Sequence, residues 1–160
     1  MSGGFAALMT SLDYPLFVVT AAAGGERSGC LVGFASQVSI HPPRFLACLS
    51  KKNHTYDVAL LADVLAVHVL EAEDRETAEL FGGETGDEVD KFAAAAWRPG
   101  PDGVPVLEAC RRWFAGRILD RVDFGDHVGF VLDPVAADVE GDDDQLTFQA
   151  ARDIDPGHPA

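Results

Sequence analysis

The sequence predicts a mainly β protein in which antiparallel strands form a barrel that a few helices cover. About seven short runs are rich in β-branched and aromatic residues and are separated by turn residues, whereas only two or three segments have helical periodicity. No G-x-G-x-x-G motif follows a predicted strand, so a dinucleotide would not bind through a turn of the Rossmann type. We expect the 160 residues to form one domain, 1–160, with a frayed tail over about 152–160.

The charge and composition of the chain exclude several classes of partner. With 26 acidic against 12 basic residues the net charge is −14, so we expect no binding to nucleic acid or to a membrane surface. No run approaches the roughly 20 apolar residues of a membrane helix, and the N-terminus lacks the basic start of a secretory signal. The three cysteines have no metal-ligand spacing, which predicts no metal site and a protein of the reducing cytoplasm.

The first elements are a helix and a hairpin. Apolar residues at helical spacing predict a short helix over residues 3–12. Residues 16–20 are β-branched and aromatic, and Gly24 and Gly25 form a turn before a second strand that includes Gly29. Strand, turn and strand follow one another directly, which predicts antiparallel pairing.

Small residues occupy this second strand, where bulkier side chains are usual. They are Gly29, Gly33, Ala35 and Ser36, and they would let a flat ligand lie against the backbone. Residues 37–39 would then present backbone groups and short polar side chains to a heterocycle. A strand with a glycine bulge explains the same pattern equally well.

The next strand leads into a turn that is rich in donors. Pro42 and Pro43 cannot donate to a ladder, so a new strand begins at about residue 44, and its apolar sequence over 44–50 predicts burial on both faces. Residues 50–55 (Ser-Lys-Lys-Asn-His-Thr) precede a helix predicted at 55–61, and in so acidic a chain they favour phosphate binding. Considered singly, Asn53 or Thr55 is better explained as a helix cap.

The middle of the chain has one buried histidine and one candidate lid. Residues 64–70 predict a strand in which His68 is a core residue with a hydrogen-bond partner rather than a catalytic group. A helix follows from Asp74 to the glycines at 82–83, and a shorter helix is predicted over 87–95. The side chains after it either close over an aromatic ligand or pack beneath their own loop. These side chains are Lys91, Phe92 and Trp97.

The last third contains the candidate catalytic residue. Strands are predicted over 109–119 and 128–135, with a turn rich in glycine and aspartate between them, and a short final strand is predicted over 145–149. His127 follows Asp126 at the end of that turn. A neutral imidazole that a carboxylate orients can hydrogen-bond a carboxamide or move a proton.

Three of these motifs together resemble the flavin reductase family of the FMN-binding split barrels. They are residues 29–43, residues 50–55 and Gly125-Asp126-His127, and a Gly-Asp-Glu-x-Asp-Lys-Phe run at 86–92 agrees with the same alignment. The resemblance covers residues 8–139. It implies a Greek-key split β-barrel. Leu31 and Gly33 differ from the Thr and the Ser or Asn common in relatives, which leaves open which flavin is preferred.

The resemblance also implies roles for individual residues. The segment matching 35–39 lines the isoalloxazine ring, the turn matching 50–55 takes the flavin phosphate, and the Gly-Asp-His motif lies beside the flavin and the nicotinamide. The candidate catalytic residue is therefore His127. The candidate cofactor-binding residues are Ala35, Ser36, Gln37, Val38, Ser39, Ser50, Lys51, Asn53, His54 and Thr55.

The function that follows is hydride transfer from NADH or NADPH to FMN, with FAD as the other possible flavin. Reduced flavin would pass to a partner monooxygenase, and the family implies a homodimer with the flavin near the subunit interface. Two alternatives stay open: an FMN-binding electron carrier, and a split-barrel reductase that acts directly on another small substrate.

Overall fold

A computed structural model of the chain describes residues 3–83 and 90–154. The strands are β1 (Phe17–Ala23), β2 (Glu26–Val32), β3 (Ala35–Ser39), β4 (Arg44–Ser50), β5 (Val64–Val69), β6 (Trp97–Pro99), β7 (Pro105–Leu107), β8 (Arg112–Asp123) and β9 (His127–Val139). The helices are α1 (Gly3–Ser11), α2 (His54–Ala59), α3 (Arg75–Gly83), α4 (Lys91–Ala94) and α5 (Phe148–Ala151), and a 3-10 helix covers Pro101–Gly103.

Seven of these strands form one antiparallel sheet in the order β2-β1-β5-β8-β9-β4-β3, and β6 pairs with β7. β2 and β3 lie at opposite ends of that order, although only Gly33 and Phe34 separate them in the chain. The sheet must therefore curl until its two edges approach each other. There the Cys48 N–H donates to the Phe34 carbonyl at 2.9 Å, but no ladder of the described residues closes the sheet between β2 and β3. The predicted antiparallel split barrel is confirmed.

The hairpin of β1 and β2 forms as predicted, with Phe17 opposite Val32 and with Gly24 and Gly25 at positive φ in its turn. β1 has core on both faces because its side chains alternate. Val19 belongs to a cluster inside the curled sheet that α2 covers, and Val18 belongs to a second cluster with α3 and the C-terminal segment. The second cluster matters for function because it forms the base of the cavity described below.

The prediction that residues 44–50 are buried on both faces is wrong. Ala47 and Leu49 face the inner core, whereas the alternate residues Leu46, Cys48 and Ser50 are only half-buried. The sequence is apolar throughout because the second face of β4 borders a cavity, which apolar side chains can also line.

The prediction of a final strand over 145–149 is also wrong. Gln145 and Thr147 make only isolated bridges, to Glu71 and to Pro15, and α5 begins at Phe148. The segment crosses between two different partners instead of following one strand, so no continuous ladder can form.

The helix predicted over 87–95 is observed as α4, which Asp90 caps by accepting the Phe92 N–H at 3.1 Å; residues 87–89 lie outside the described part of the chain. The candidate lid side chains pack beneath their loop, as one of the two alternatives held. Phe92 lies between Phe81 and Trp97, with ring centroids 5.6 and 6.0 Å away, and Lys91 is buried. None of the three candidates lines the cavity.

The prediction for His68 is confirmed. Its side chain is fully buried, the Leu107 N–H donates to Nε2 at 3.1 Å, and Nδ1 lies 2.9 Å from the Val18 carbonyl. His68 therefore links β5 to β1 and β7 and has no part in the cavity.

Candidate active site

A cavity of about 340 Å³ lies between β2, β4, α3 and the C-terminal segment. This volume is at the lower end of the roughly 300–1,000 Å³ that is usual for small-molecule sites. Leu16, Leu31, Val32 and Leu49 form an aliphatic part of its wall. The cavity is thus of a size and polarity suited to one flat heterocycle.

Three polar side chains come together in one part of the cavity: Ser50, Asn53 and His127. Ser50 ends β4 and pairs directly with His127, which begins β9, so the ladder between these strands places the two side by side. Asn53 follows in the turn and caps α2, where its side-chain oxygen accepts the Thr55 N–H at 2.9 Å. We call these three residues the polar end of the cavity.

His127 is held in one orientation by its neighbour. Its Nδ1 lies 2.8 Å from a carboxylate oxygen of Asp126, and because a carboxylate only accepts, Nδ1 donates. This hydrogen bond lowers the pKa of Asp126 below its ordinary value. In the neutral imidazole with this tautomer, Nε2 is the ring nitrogen that can accept a hydrogen bond.

A row of rings runs along the cavity away from the polar end. Centroid distances are 5.0 Å from His127 to Phe34, 6.5 Å from Phe34 to Tyr14 and 4.8 Å from Tyr14 to Phe148, the last pair being stacked at 10°. All four residues line the cavity. Rings of this kind offer a flat ligand both apolar contact and stacking partners.

Two glycines of the central segment accommodate the protein's own rings. A Cβ at Gly33 would lie 2.6 Å from the Tyr14 ring, and one at Gly29 would lie 2.8 Å from the Phe81 ring. The small residues after β1 thus permit close approach to the backbone, as the sequence indicated, but at these two positions the approaching groups are Tyr14 and Phe81.

The C-terminal segment forms one wall of the cavity through Phe148, Ala151, Arg152 and Ile154. It is fixed from both sides. The Gln149 side chain donates to the carbonyls of α1 and its following turn at 2.8 and 2.7 Å, and Arg75 of α3 donates to both carboxylate oxygens of Asp153 at 2.9 and 3.1 Å.

The charge of the cavity wall contrasts with that of the whole chain. None of the described residues that line the cavity is an acid, although the chain carries 26 acidic residues. His127 and Arg152 are the basic residues among the described lining groups. An anionic ligand therefore meets no carboxylate on the wall itself.

A family model described as "Flavin reductase like domain" matches residues 9–154. The chain belongs to this flavin reductase family. "Probable flavin reductase" of Rhizobium meliloti (strain 1021) is 34% identical over 112 residues, which are 69% of this chain but 35% of that relative. "FMN reductase (NADH) RutF" of Bradyrhizobium diazoefficiens is 31% identical over 140 residues, 88% of this chain and 77% of the relative. The flavin reductase domain protein of Arthrobacter sp. FB24 has the same fold, with a TM-score of 0.83 at 22% identity over 92% of this chain and 90% of that one.

Within this flavin reductase domain, the predicted phosphate turn is divided. Ser50 and Asn53 line the cavity, and Asn53 is also the helix cap that the alternative explanation proposed. The other three predicted residues of the turn have partners elsewhere. Lys51 donates to Asp123 at 2.8 Å, His54 lies 3.0 Å from Glu26, and buried Thr55 hydrogen-bonds Ser28 at 2.8 Å.

The predicted ring-binding residues form β3, an edge strand beside the cavity. Ser36, Gln37 and Val38 are exposed, Ala35 and Ser39 are half-buried, and none of the five lines the cavity. The polar side chains bond to their own strand, with Ser36 donating to the Gln37 carbonyl and Gln37 to that of Ser39. Their role toward a flavin stays a prediction.

Cys30 lines the cavity but is buried, and burial raises the pKa of its thiol to about 11. The thiol therefore stays protonated at neutral pH and is a poor nucleophile, which favours a packing role.

The sequence did not indicate that Tyr14, Phe34, Phe148 and Arg152 belong to the site. Tyr14 and Phe148 lie near opposite ends of the chain and meet only through the tertiary fold. Arg152 falls in the predicted tail, whose residues 155–160 lie outside the described part. Phe34 alone had a signal, an aromatic residue directly after a strand rich in glycine.

No helix in the described part of the chain is long and apolar enough to cross a membrane.

Proposed function

We propose that this protein is a flavin reductase that transfers a hydride from NAD(P)H to FMN. The observation that carries the proposal is the cavity, which combines a row of rings, a polar end and a wall without acids among the described residues. A flavin requires the same combination, because its ring system is flat and largely apolar whereas its phosphate is anionic. The two curated relatives described above are named as flavin reductases.

The residues present fit a flavin at the level of chemistry. Phe34 provides a stacking surface for the ring system, and Tyr14, which is itself stacked on Phe148, adds apolar contact. The Ser50 hydroxyl and the Asn53 amide provide hydrogen bonds for polar groups of the flavin. When bound, the flavin would supply two-electron redox chemistry as the acceptor of a hydride from NAD(P)H.

The protein's own contribution is then to position the reactants and exclude water. In this proposal the neutral imidazole of His127, which lines the cavity, accepts a hydrogen bond from the nicotinamide carboxamide through Nε2, with Asp126 holding the proton on Nδ1. The apolar wall keeps water away from the transferred hydride. Hydride transfer needs no further acid or base from the chain.

We name FMN before FAD because the similar protein of Bradyrhizobium diazoefficiens is named an FMN reductase. It covers both NADH and NADPH. An electron carrier or a reductase of another small substrate would also bind FMN, but the carrier would not oxidise NAD(P)H.

We also propose an oligomeric state, a cellular location and a partner for the enzyme. The exposed apolar side chains of Phe34 (56%), Val38 (54%) and Ile40 (68%) lie on or beside β3 and favour a homodimer that covers this edge next to the cavity. Free cysteines favour a cytoplasmic location. Reduced flavin that leaves such a site requires an acceptor, for which a partner monooxygenase is the candidate.

The role of His127 can be tested by replacing it and its neighbour. We expect His127→Ala to raise the KM for NADH about tenfold, the effect of one lost hydrogen bond, and Asp126→Asn to have a smaller effect in the same direction. Asp138→Asn, in the same strand but outside the cavity, is the matched control. Steady-state kinetics of NADH oxidation with FMN as acceptor gives the KM for NADH in each variant. An unchanged KM in His127→Ala would contradict the assigned role.

A further inference from the structure

Arg152 occupies a defined position on the C-terminal wall of the cavity. It follows α5 directly and lies four residues after Phe148, so the two side chains share one face of this helical turn. Its guanidinium donates to the Gln149 side chain at 2.9 Å. Among the described residues that line the cavity, it is the one arginine or lysine.

No carboxylate of the described residues forms an ion pair with Arg152. The nearest acid in sequence, Asp153, is already held by Arg75 through both of its oxygens. Arg75 also donates to the Ala150 carbonyl at 2.7 Å, which fixes the backbone on either side of Arg152. No carboxylate of the described residues therefore neutralises the guanidinium charge, so it can pair with an anionic ligand. The segment that carries Arg152 is anchored.

Arg152 is separated from the polar end by the row of rings. The row begins at His127, passes through Phe34 and Tyr14, and ends at Phe148, one helical turn from Arg152. The cavity thus has polar groups in two places with aromatic wall between them. This arrangement suits a pair of ligands with two separate anionic groups.

We propose that Arg152 binds a phosphate of the nicotinamide dinucleotide. This inference rests on the proposed function, in which the flavin phosphate is met by residues of the turn at 50–55. A dinucleotide brings a second anionic group, the pyrophosphate, which meets the exposed Arg152 at the rim of the cavity while the flavin ring occupies its interior. The planar fork of an arginine matches the phosphate oxygens in a bidentate manner, which an isolated ammonium does not.

The test compares two ligands in four proteins. Titration calorimetry measures the dissociation constants of NAD⁺ and FMN for the wild type, Arg152→Gln, Arg152→Lys and Arg117→Gln. Arg117 is an exposed arginine of β8 outside the cavity, so its replacement matches the change in charge. We expect Arg152→Gln to weaken the binding of NAD⁺ about tenfold and Arg152→Lys to weaken it less. The affinity for FMN should be unchanged in both variants, and Arg117→Gln should change the affinity for neither ligand.

A second substrate separates phosphate binding from a general effect on the wall. Reduced nicotinamide riboside has no phosphate, so wild type and Arg152→Gln should oxidise it at equal rates with FMN as acceptor. A slower rate in Arg152→Gln would overturn the inference, as would unchanged NAD⁺ affinity or an equal loss of FMN affinity. If the wild type itself oxidises neither NADH nor NADPH, the proposed function and this inference both fail, whereas normal wild-type turnover with unchanged NAD⁺ binding in Arg152→Gln refutes the inference alone.

Discussion

At the scale of single residues, burial determines which side chains are available for chemistry. His68 is fully buried, and burial lowers its pKa to about 4 because the charged imidazolium would lose its hydration. His127, by contrast, is 21% exposed and lies at the cavity beside a carboxylate. The two histidines therefore have different roles although both lie at or in strands.

His68 should make the stability of the protein depend on pH. The unfolded chain protonates this residue below its ordinary pKa of 6.5, whereas the folded chain does so only below about 4, so stability falls as the pH falls through that window. The free energy of unfolding should therefore fall by about 2 kcal/mol between pH 7.5 and pH 5 on account of His68. Urea denaturation of wild type and His68→Gln should show a difference in unfolding free energy that is smaller at pH 5 by this amount.

Exposed His41 provides the control for this measurement, because His41→Gln removes a histidine that the fold does not bury. A difference between wild type and His68→Gln that is the same at both pH values would mean that His68 does not carry the effect.

Lys51 tests whether the turn at 50–55 binds the flavin phosphate. The hydrogen bond to Asp123 raises the pKa of Lys51, and the pair lies at the surface, so either partner can be replaced without unfolding the protein. If the ammonium of Lys51 binds the phosphate, Lys51→Ala should weaken the binding of FMN about tenfold. Asp123→Asn should not weaken FMN binding, because it releases Lys51 from its ion pair. Quenching of FMN fluorescence measures both constants. With Lys52→Ala as the charge-matched comparison, unchanged FMN affinity in Lys51→Ala would remove Lys51 from the site.

At the scale of elements, the C-terminal segment is a cavity wall that no ladder supports. Leu146 accepts the Leu16 N–H at 3.0 Å and donates its own N–H to the Leu70 carbonyl at 2.8 Å. Phe148 donates to the Tyr14 carbonyl at 2.9 Å, and beyond it Arg75 holds the segment through Asp153. The position of this wall therefore depends on a few backbone hydrogen bonds, on packing against the second core cluster and on side-chain contacts such as the Arg75–Asp153 pair.

Removing one of these contacts should loosen the wall selectively. We expect Arg75→Ala to increase amide hydrogen exchange over residues 148–154 while the melting temperature changes little, because an exposed ion pair contributes little to global stability. Arg44→Ala, which removes the ion pair to Asp133 within the sheet, is the matched control. Equal exchange over residues 148–154 in wild type and Arg75→Ala would show that other contacts position the segment.

The elements that the sequence predicted are those whose signals are local. Gly24 and Gly25 define the hairpin turn, and the dense runs of apolar and β-branched residues at 16–20 and 64–70 define strands. Ser50 and His127 could be identified as candidates from their motifs, yet that they are paired across a ladder follows only from the fold. The meeting of Tyr14 with Phe148 depends on the path of the C-terminal segment, for which the sequence contains no local periodicity.

At the scale of the whole molecule, the curling of the sheet assembles the site. It brings the link between β2 and β3 against β4 and the start of β9, so Phe34 reaches both Tyr14 and His127. The same curling leaves the edge strand β3 exposed next to the cavity with Val38 and Ile40 in solvent. An exposed apolar edge of this kind is typical of an interface.

The proposed dimer makes a prediction about this edge. We expect Ile40→Asp to shift the protein from dimer to monomer, because a carboxylate would be buried in the interface, while Leu61→Asp should leave the dimer intact. Leu61 is the matched control since it is 80% exposed and lies after α2. Light scattering coupled to size-exclusion chromatography gives the mass directly, and a wild type that is already monomeric would contradict the proposal.

The most direct test of the central claim is an anaerobic titration of purified protein with FMN followed by NADH or NADPH, monitored by flavin absorbance. We expect FMN to bind and its yellow absorbance to bleach rapidly when the nicotinamide is added, with slower bleaching at limiting NADH in His127→Ala. Binding without bleaching by either nicotinamide would contradict the reductase, and no binding of FMN would contradict the assignment of the cavity as a flavin site.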